Sequence, residues 1–258
     1  MRRHQADEQR DLQAVKGRLP GAEETIANVI GRVSPHCALV RPGARVLEVG
    51  SAQGIYVVAL NRAGYDAHGV EPWRPAIETG RQLASDLGEE MDVVEGVGES
   101  LPYPDDAFDL VISISVLEHV NDPLAVFREV HRVLRPEGAF YFHTTTKLAR
   151  RQDEIMWFPL FAWYPEGVKR RIMDWAAAER PSWIGGTATP AYNWFTPWGV
   201  RRDLREIGYS KVLERWDLMR EEELDGWQRS ALRAVRTRKP LRFLGEFVKP
   251  GSGFLAFK

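Results

Sequence analysis

One short stretch constrains this chain more than any other. Residues 45–54 read Arg-Val-Leu-Glu-Val-Gly-Ser-Ala-Gln-Gly, an apolar run that carries Glu48 and ends in a turn framed by Gly50 and Gly54. The apolar residues that follow, 55–60, have the pattern of a helix. A buried strand, a glycine-rich turn and a helix place a nucleotide-like ligand outside the carboxyl end of the strand. Glycine is expected in such a turn because a Cβ would strain it or block the approach of a ligand.

Composition and charge exclude several classes of protein. The chain has 258 residues, 44% of them hydrophobic and 28% charged, which is typical of a globular domain with a sizeable core. Its net charge of −1 gives no general attraction for nucleic acid. The single cysteine, Cys37, excludes an internal disulfide and fits a reducing compartment. Because the first residues lack the apolar core of a signal peptide and no long apolar run follows, we expect a cytoplasmic protein.

Strand-like and helix-like segments alternate along the first part of the chain. Apolar runs after 45, 66, 91, 108 and 139 predict five strands, and helical patterns lie between them. Two further strands are predicted at Ser210–Leu218 and Gly253–Phe257, the last of them antiparallel. The expected fold is therefore α/β, a doubly wound, Rossmann-like and mostly parallel sheet of seven strands with an antiparallel last strand. Residues 1–20 predict a polar helix, and Thr25–Val33 a second helix beside the site, in a position to act as a lid.

The alternation stops after residue 147. All tryptophans except Trp73 lie beyond residue 156, and the insertion concentrates aromatic and apolar side chains at Met156, Trp157, Phe158, Leu160, Phe161, Trp163 and Tyr164, with a loop over 181–186 that includes Trp183, Gly185 and Gly186. A long insertion after a sheet strand is usually functional. Two interpretations stay open: an aromatic lid that excludes water from a site, or side chains that pack on one another as ordinary core.

Glu71 indicates what kind of nucleotide the turn receives. It closes the second strand about 20 residues after Gly50, where an acid can accept hydrogen bonds from ribose hydroxyls. The turn has glycine at its first and fifth positions, whereas a dinucleotide fingerprint has it at the first, third and sixth. No Gly-Lys-Ser/Thr follows, so a phosphate-cradling loop is excluded. The site is shaped for an adenosine without phosphates.

At this point the chain resembles the class I S-adenosylmethionine-dependent methyltransferases, in the branch that modifies small molecules and lipids. The resemblance rests on residues 46–54, on 69–72, on 98–111 and on 115–120 with the later Arg135–Gly138, and it covers roughly residues 45–145. Trp194–Pro197 and Gly208–Tyr209 also look like that family. The resemblance implies S-adenosyl-L-methionine as cofactor and says little about the methyl acceptor.

The resemblance assigns roles to individual positions. Glu48 would orient the methionine amino group, Glu71 with the adjacent Pro72 would hold the ribose, and Ser115 would lie under the methionine end. The backbone wall would come from Gly50, Ser51, Ala52 and Gly54, and the adenine edge from Gly98 and Glu99. There are two departures from the family pattern. Ala52 replaces a common glycine, which costs little if its φ is negative, and Val97 with Gly98 replaces a frequent Asp-Ala, so that adenine recognition would use the backbone.

Methyl transfer by in-line displacement requires alignment more than acid–base chemistry. A hydroxyl acceptor still has to lose a proton. His119 and His143 are the only histidines at carboxyl ends of predicted strands, and either could be the general base. His119 could instead brace its helix. Tyr164, Tyr192 and Asn193 are weaker candidates for substrate contacts, and no metal site is predicted.

The expected organisation is one methyltransferase domain with N-terminal helices over 1–44, a cofactor-binding core over 45–147, the aromatic insertion over 148–195 and C-terminal strands over 196–258. Its basic insertion, 220–251, has seven Lys or Arg and one acid between residues 226 and 250, namely Arg229, Arg233, Arg236, Arg238, Lys239, Arg242 and Lys249 against Glu246. This segment is read either as a surface for anionic lipid or a phosphorylated acceptor, or as a solvated face whose apolar side packs on the sheet.

The expected acceptor is a small or lipid-linked molecule, methylated on an oxygen of a bulky metabolite, glycan intermediate or lipophilic compound. No nucleic-acid-binding module is present in the sequence. Two alternatives stay open. One is a non-catalytic S-adenosylmethionine-binding or scaffold protein, and the other, disfavoured by the glycine spacing, is a nicotinamide-dependent oxidoreductase.

Overall fold

The computed structural model describes residues 2–148, 154–155, 157–184, 190–247 and 251–258. The sequence-based predictions for Met156, for Gly185 and Gly186, and for Lys249 lie outside the described residues. The chain divides into two compact units. The first comprises residues up to Ser113, with Ala125–Tyr141 and Phe257–Lys258, and the second comprises Ile114–Leu124 and Phe142–Ala256.

The first unit contains the alternating elements that the sequence predicts. In chain order they are α1 (Arg2–Val33), β1 (Arg45–Val49), α2 (Ile55–Arg62), β2 (Asp66–Glu71), α3 (Arg74–Leu87), β3 (Asp92–Glu95), β4 (Phe108–Ile114) and α4 (Pro123–Val133). The last residue of β4 and the first two residues of α4 belong to the second unit. β1 pairs in parallel with β2 on one side and with β4 on the other, so that Val46 lies between Ala67 and Leu110. β4 is buried along almost all of its length, as expected for a continuous apolar run in a parallel sheet.

The N-terminal segment differs from the prediction of two separate helices. α1 is one continuous helix, although Pro20 lies inside it. A buried stripe at helical spacing explains the continuity: Val15, Leu19, Ala22, Ile26, Val29 and Val33. This stripe packs against α2 and α3, and ion pairs such as Lys16 with Asp86, 2.7 Å, border it. The apolar face of Thr25–Val33 is therefore committed to packing on helices.

The sheet has seven strands in the order β3-β2-β1-β4-β5-β7-β6, where β5 is Leu134–Thr145, β6 is Lys211–Glu214 and β7 is Gly251–Phe257. The last strand is antiparallel, and the predicted doubly wound, Rossmann-like α/β fold is confirmed. One boundary was wrong. β5 begins at Leu134, so the Arg135–Gly138 turn that was expected before the strand lies within its bounds, with Glu137 at a positive φ of 66°.

The second unit carries the remaining helices, α5 (Glu166–Glu179), α6 (Pro197–Ile207), α7 (Arg215–Leu218), α8 (Gly226–Thr237) and α9 (Lys239–Gly245). The predicted strand Ser210–Leu218 was wrong in its second half, because β6 ends at Glu214 and α7 follows. Glu214 and Asp217 form a reciprocal capping box, in which each side chain accepts a hydrogen bond from the other end of the turn. None of the helices in the described part of the chain is both apolar and long enough to cross a bilayer.

The aromatic insertion has a small core of its own. Phe161 and Trp194 are buried in it together with Ile155, Met173, Ala176 and Ile184, and the Phe161 and Trp194 rings meet edge to face at 5.3 Å. The interpretation as ordinary core is thus correct for Phe161. Trp157 and Trp163 are different, because 77% and 56% of their surfaces stay exposed.

Candidate functional site

The turn after β1 has a left-handed backbone at three positions. Gly50, Ala52 and Gly54 have φ values of 76°, 47° and 64°. The condition under which alanine at position 52 would cost little, a negative φ, is therefore not met, and an L-residue in this region costs roughly 1–2 kcal/mol. The backbone N–H groups of Gly50 and Ser51 both donate to the carbonyl of Val70, at 2.9 and 3.1 Å, which fixes the start of the turn to β2.

Gly54 has a packing reason as well as a conformational one. A Cβ on Gly54 would collide with the sulfur of Met91 and lie 3.2 Å from a methyl group of Val93. The side chain of Ser51 is likewise turned inward, because a Cβ on Gly69 would lie 2.8 Å from its Oγ. Gly54 therefore allows Met91 and Val93 to pack directly against the turn, and these side chains occupy the volume that a Cβ at Gly54 would need.

Two carboxylates lie at this turn. Glu71, at the end of β2, accepts hydrogen bonds from the backbone N–H groups of Ala52, 2.9 Å, and Trp73, 3.0 Å. Glu48 is only 4% exposed, and its Oε2 has no hydrogen-bond partner among the described residues. Burial, together with the negative charge of Glu71, raises the pKa of Glu48 well above its usual value. A cation placed beside Glu48 would remove this penalty.

Gly98 and Glu99, which were predicted to border the adenine, lie in a tight turn after β3. Val97 and Ser100 form an antiparallel bridge, with the Ser100 N–H donating to the Val97 carbonyl at 3.2 Å. Gly98 is buried at the corner, where a Cβ would lie 3.0 Å from Val49 at the end of β1. The structure thus brings Gly98 next to the glycine-rich turn, while Glu99 is half-buried and Pro72 is exposed.

Ser115 and His143 lie together in the second unit. Ser115 is exposed, has a φ of 55° and donates its backbone N–H to the carbonyl of His143 at 2.9 Å. The imidazole of His143 packs against the first residue of β7, because a Cβ on Gly251 would lie 2.6 Å from its Nε2. His119 is half-buried in the loop after β4, with its backbone N–H bonded to the Val116 carbonyl at 2.8 Å.

Glu118 is a titratable residue that sequence reasoning missed. It is 2% exposed, and its Oε2 accepts a hydrogen bond from Thr144 Oγ1 at 2.9 Å. Burial raises the pKa of Glu118 to about 7. The available signal was an acid in the otherwise apolar run Val116-Leu117-Glu118, directly before a histidine that was singled out.

Asn193 and Tyr192 are occupied by contacts within the protein. The amide of Asn193 donates to the carbonyls of Leu117, 3.0 Å, and Val120, 2.7 Å, and so braces the loop that carries Glu118. The hydroxyl of Tyr192 donates to Asp174 at 2.7 Å. The amide nitrogen of Asn193 is therefore a structural brace, and a substrate contact at Asn193 stays a prediction.

Three arginines of the basic insertion form ion pairs with acids. Glu221 pairs with Arg233 at 2.7 Å and with Arg236 at 2.9 Å. Arg242 pairs with Glu214 in the same way at 2.9 Å. On the apolar side of α8 Leu232 is buried, whereas Trp227 is 73% exposed. The pairing lowers the positive field of this face, and membrane contact through 226–250 stays a prediction.

The family comparison identifies the core of the chain. Residues 47–142 match the family model described as "Methyltransferase domain". They form a class I S-adenosylmethionine-dependent methyltransferase domain. The matched region runs from β1 to β5 and contains the glycine-rich turn, both carboxylates and the loop with Glu118 and His119.

Two curated relatives show what this methyltransferase domain is similar to. An uncharacterized methyltransferase, YcgJ of Bacillus subtilis, is 33% identical over 37% of this chain and 38% of its own length. A ubiquinone biosynthesis O-methyltransferase of Actinobacillus pleuropneumoniae is 30% identical over 41% of this chain and 47% of its own length. The chain thus spans less than half the length of these relatives. The crystal structure of YcgJ superposes with a TM-score of 0.54 at 16% identity, covering 91% of this chain and 98% of that one, and shows the same fold.

The residues at the turn fit S-adenosylmethionine, the cofactor of this class of domain. Glu48 is a buried carboxylate with an unpartnered oxygen, which suits the cationic amino group of the methionine part. Glu71 is a half-exposed acceptor at the end of β2, which suits ribose hydroxyls. No lysine follows the turn to meet a phosphate chain. The donor set therefore matches an adenosine that carries a cation and no phosphate.

Proposed function

We propose that this protein transfers a methyl group from S-adenosyl-L-methionine to an oxygen atom of a bulky metabolite, glycan intermediate or lipophilic acceptor. The observation that carries the proposal is a pair of carboxylates at the glycine-rich turn. Glu48 is buried, Glu71 is half-exposed, and the turn has no lysine that could meet a phosphate chain. We further propose that the acceptor is a small or lipid-linked molecule rather than nucleic acid, and that the protein works in the cytoplasm.

Each cofactor-binding residue has a proposed task. Glu48 holds the amino group, and Glu71, with Pro72 beside it, accepts the ribose hydroxyls. The turn contributes its backbone at Gly50, Ser51, Ala52 and Gly54, Gly98 and Glu99 border the adenine, and Ser115 lies under the methionine end. The support for these tasks is the proximity of Gly98 to β1 and the hydrogen bond between Ala52 and Glu71.

S-adenosyl-L-methionine held by Glu48 and Glu71 would supply an activated methyl group, with its sulfur as the leaving group when the acceptor oxygen gains the methyl. The acceptor hydroxyl loses its proton to a general base, for which we propose His143 or His119. His143 is favoured by its position on β5 beside Ser115, whose N–H bonds to its carbonyl. The protonated base later releases the proton to water, which completes the balance of the reaction.

Two observations support an oxygen acceptor of lipophilic character. The relative from Actinobacillus pleuropneumoniae is by name an O-methyltransferase. In this chain, the aromatic insertion keeps Trp157 and Trp163 exposed outside its own core, where they can contact an apolar acceptor.

Calorimetry with S-adenosylhomocysteine and NADH tests the proposal. We expect binding of S-adenosylhomocysteine and none of NADH. Binding of NADH alone would instead support the oxidoreductase. Release of labelled methyl groups to a panel of hydroxylated lipophilic acceptors then separates an enzyme from a non-catalytic binding protein, which would bind the cofactor and label nothing.

A further inference from the structure

We propose that the second unit contains a binding pocket for the hydrocarbon chain of a lipid acceptor. The pocket is a cavity of about 460 Å³ lined by Leu148, Leu160, Trp163 and Phe247. This volume lies within the range of small-molecule sites, roughly 300–1,000 Å³. The inference rests on the proposed function, because it names the class of acceptor for that methyl transfer.

The chemistry of the lining selects an apolar ligand. The four lining residues in the described part of the chain are all apolar, and none of them offers a charge to a phosphate or carboxylate headgroup. Leu148 follows the carboxyl end of β5 by three residues, and ligands of open α/β sheets bind at carboxyl ends of strands. A hydrocarbon chain is the ligand class that gains most from such a surface.

The outer wall of the pocket is exposed apolar surface that packing alone does not explain. Leu160 is 50% exposed, Trp163 is 56% exposed and Phe247 is 39% exposed. Leu160 also has a φ of 56°, a conformation that is rare for a bulky side chain. Strained, exposed apolar residues of this kind are typical of functional surfaces.

An aromatic strip extends the pocket and indicates a long ligand. The ring of Phe247 meets that of Phe243 at 5.2 Å, and Phe243 in turn lies 6.1 Å from Trp198. Both Phe243 and Trp198 are about half exposed. A compact aromatic molecule would fill the cavity alone, whereas an acyl or isoprenoid chain would also cover the strip.

Fluorescence titration with dansyl-labelled undecanoic acid tests the pocket, with farnesol as competitor and dansylglycine as the short-chain control. We expect saturable binding of the long probe, its displacement by farnesol and no binding of dansylglycine. Trp163→Ser should weaken binding about tenfold or more, which corresponds to roughly 1.4 kcal/mol. Trp175→Ser removes another exposed tryptophan that does not line the pocket and should leave binding unchanged.

Leu160→Asn is the second variant, since asparagine tolerates the left-handed backbone and keeps the fold while making the wall polar. It should weaken the long probe as Trp163→Ser does. Equal binding by all variants, or equal binding of dansylglycine, would overturn the pocket. S-adenosylhomocysteine binding is measured on the same proteins. If the wild type does not bind S-adenosylhomocysteine, the proposed function is contradicted. If it binds S-adenosylhomocysteine but not the long probe, the pocket alone is contradicted.

Discussion

The carboxylate of Glu71 accepts a hydrogen bond from the backbone N–H of Ala52 at 2.9 Å, which joins the end of β2 to the glycine-rich turn. Ala52 is held there at a positive φ of 47°. The acid that we propose for ribose binding is thus already oriented by the turn it faces. Such preorganisation lowers the conformational entropy lost on binding.

Replacement of Glu71 by alanine should weaken S-adenosylhomocysteine binding by about tenfold to a hundredfold, because hydrogen bonds to a charged group contribute roughly 1.5–3 kcal/mol. Calorimetry measures the effect. Glu95→Ala is the matched control, since Glu95 pairs in register with Glu71 on β3 and makes an exposed ion pair with Arg74. Unchanged affinity in Glu71→Ala would contradict the proposed ribose contact.

Binding of S-adenosylhomocysteine should release a proton from Glu48. The pKa of Glu48 is raised in the free protein by burial and by Glu71, and the bound ammonium group would favour the carboxylate and lower that pKa. Affinity should therefore fall as the pH falls through the raised pKa of Glu48. The binding enthalpy in buffers of different ionisation enthalpy reports the released proton. In Glu48→Gln this buffer dependence should vanish; its persistence would place the proton elsewhere.

The free energy of unfolding should carry a pH dependence that comes from Glu118. The pKa of Glu118 is raised from 4.5 to about 7 in the folded protein, so protonation of Glu118 stabilises the fold. This contribution is complete below the pKa of the unfolded chain and is lost as the pH rises through about 7. Relative to Glu118→Gln, the wild type should lose roughly 2 kcal/mol between about pH 5 and 8. Urea unfolding at both values measures the difference. Parallel pH profiles of the two proteins would show that Glu118 titrates normally.

Gly251→Ala should displace the imidazole of His143, because the added Cβ would lie 2.6 Å from Nε2. We expect a loss of about 1–3 kcal/mol in unfolding free energy from overpacking, and shifted side-chain resonances of His143 by NMR. Gly226→Ala is the control, since a Cβ at Gly226 meets nothing within 4 Å. If the His143 resonances keep their positions in Gly251→Ala, the ring does not pack on β7 as described.

The sequence predicted the elements whose signals are local. The run from β1 through α2 to β2 follows directly from apolar periodicity and from the glycines that frame the turn. The second half of Ser210–Leu218 was missed because glutamate is a weak N-cap signal, so Glu214 did not mark the start of α7. Residues 1–20 and Thr25–Val33 were predicted as separate helices, and only the packing of the buried stripe on α2 and α3 shows why α1 continues through Pro20.

The site was predicted less completely because its details depend on contacts between distant residues. No sequence pattern shows that the amide of Asn193 reaches the carbonyls around Glu118, more than 70 residues away. The positive φ of Ala52 is likewise set by the turn as a whole. Residue types at a site can be read from a motif, whereas their protonation and orientation follow from packing.

The two ends of the aromatic insertion lie next to each other. Thr146 and Phe195 form a parallel bridge, and the Lys147 N–H donates to the Phe195 carbonyl at 2.7 Å. Between these points the segment has its own core around Phe161 and Trp194. A segment closed at its base and packed on itself can be exchanged for a longer or shorter one while β5 keeps its register. In the proposed function this segment contacts the acceptor, so grafting another module between Thr146 and Phe195 would be a route to changing which acceptor the protein takes.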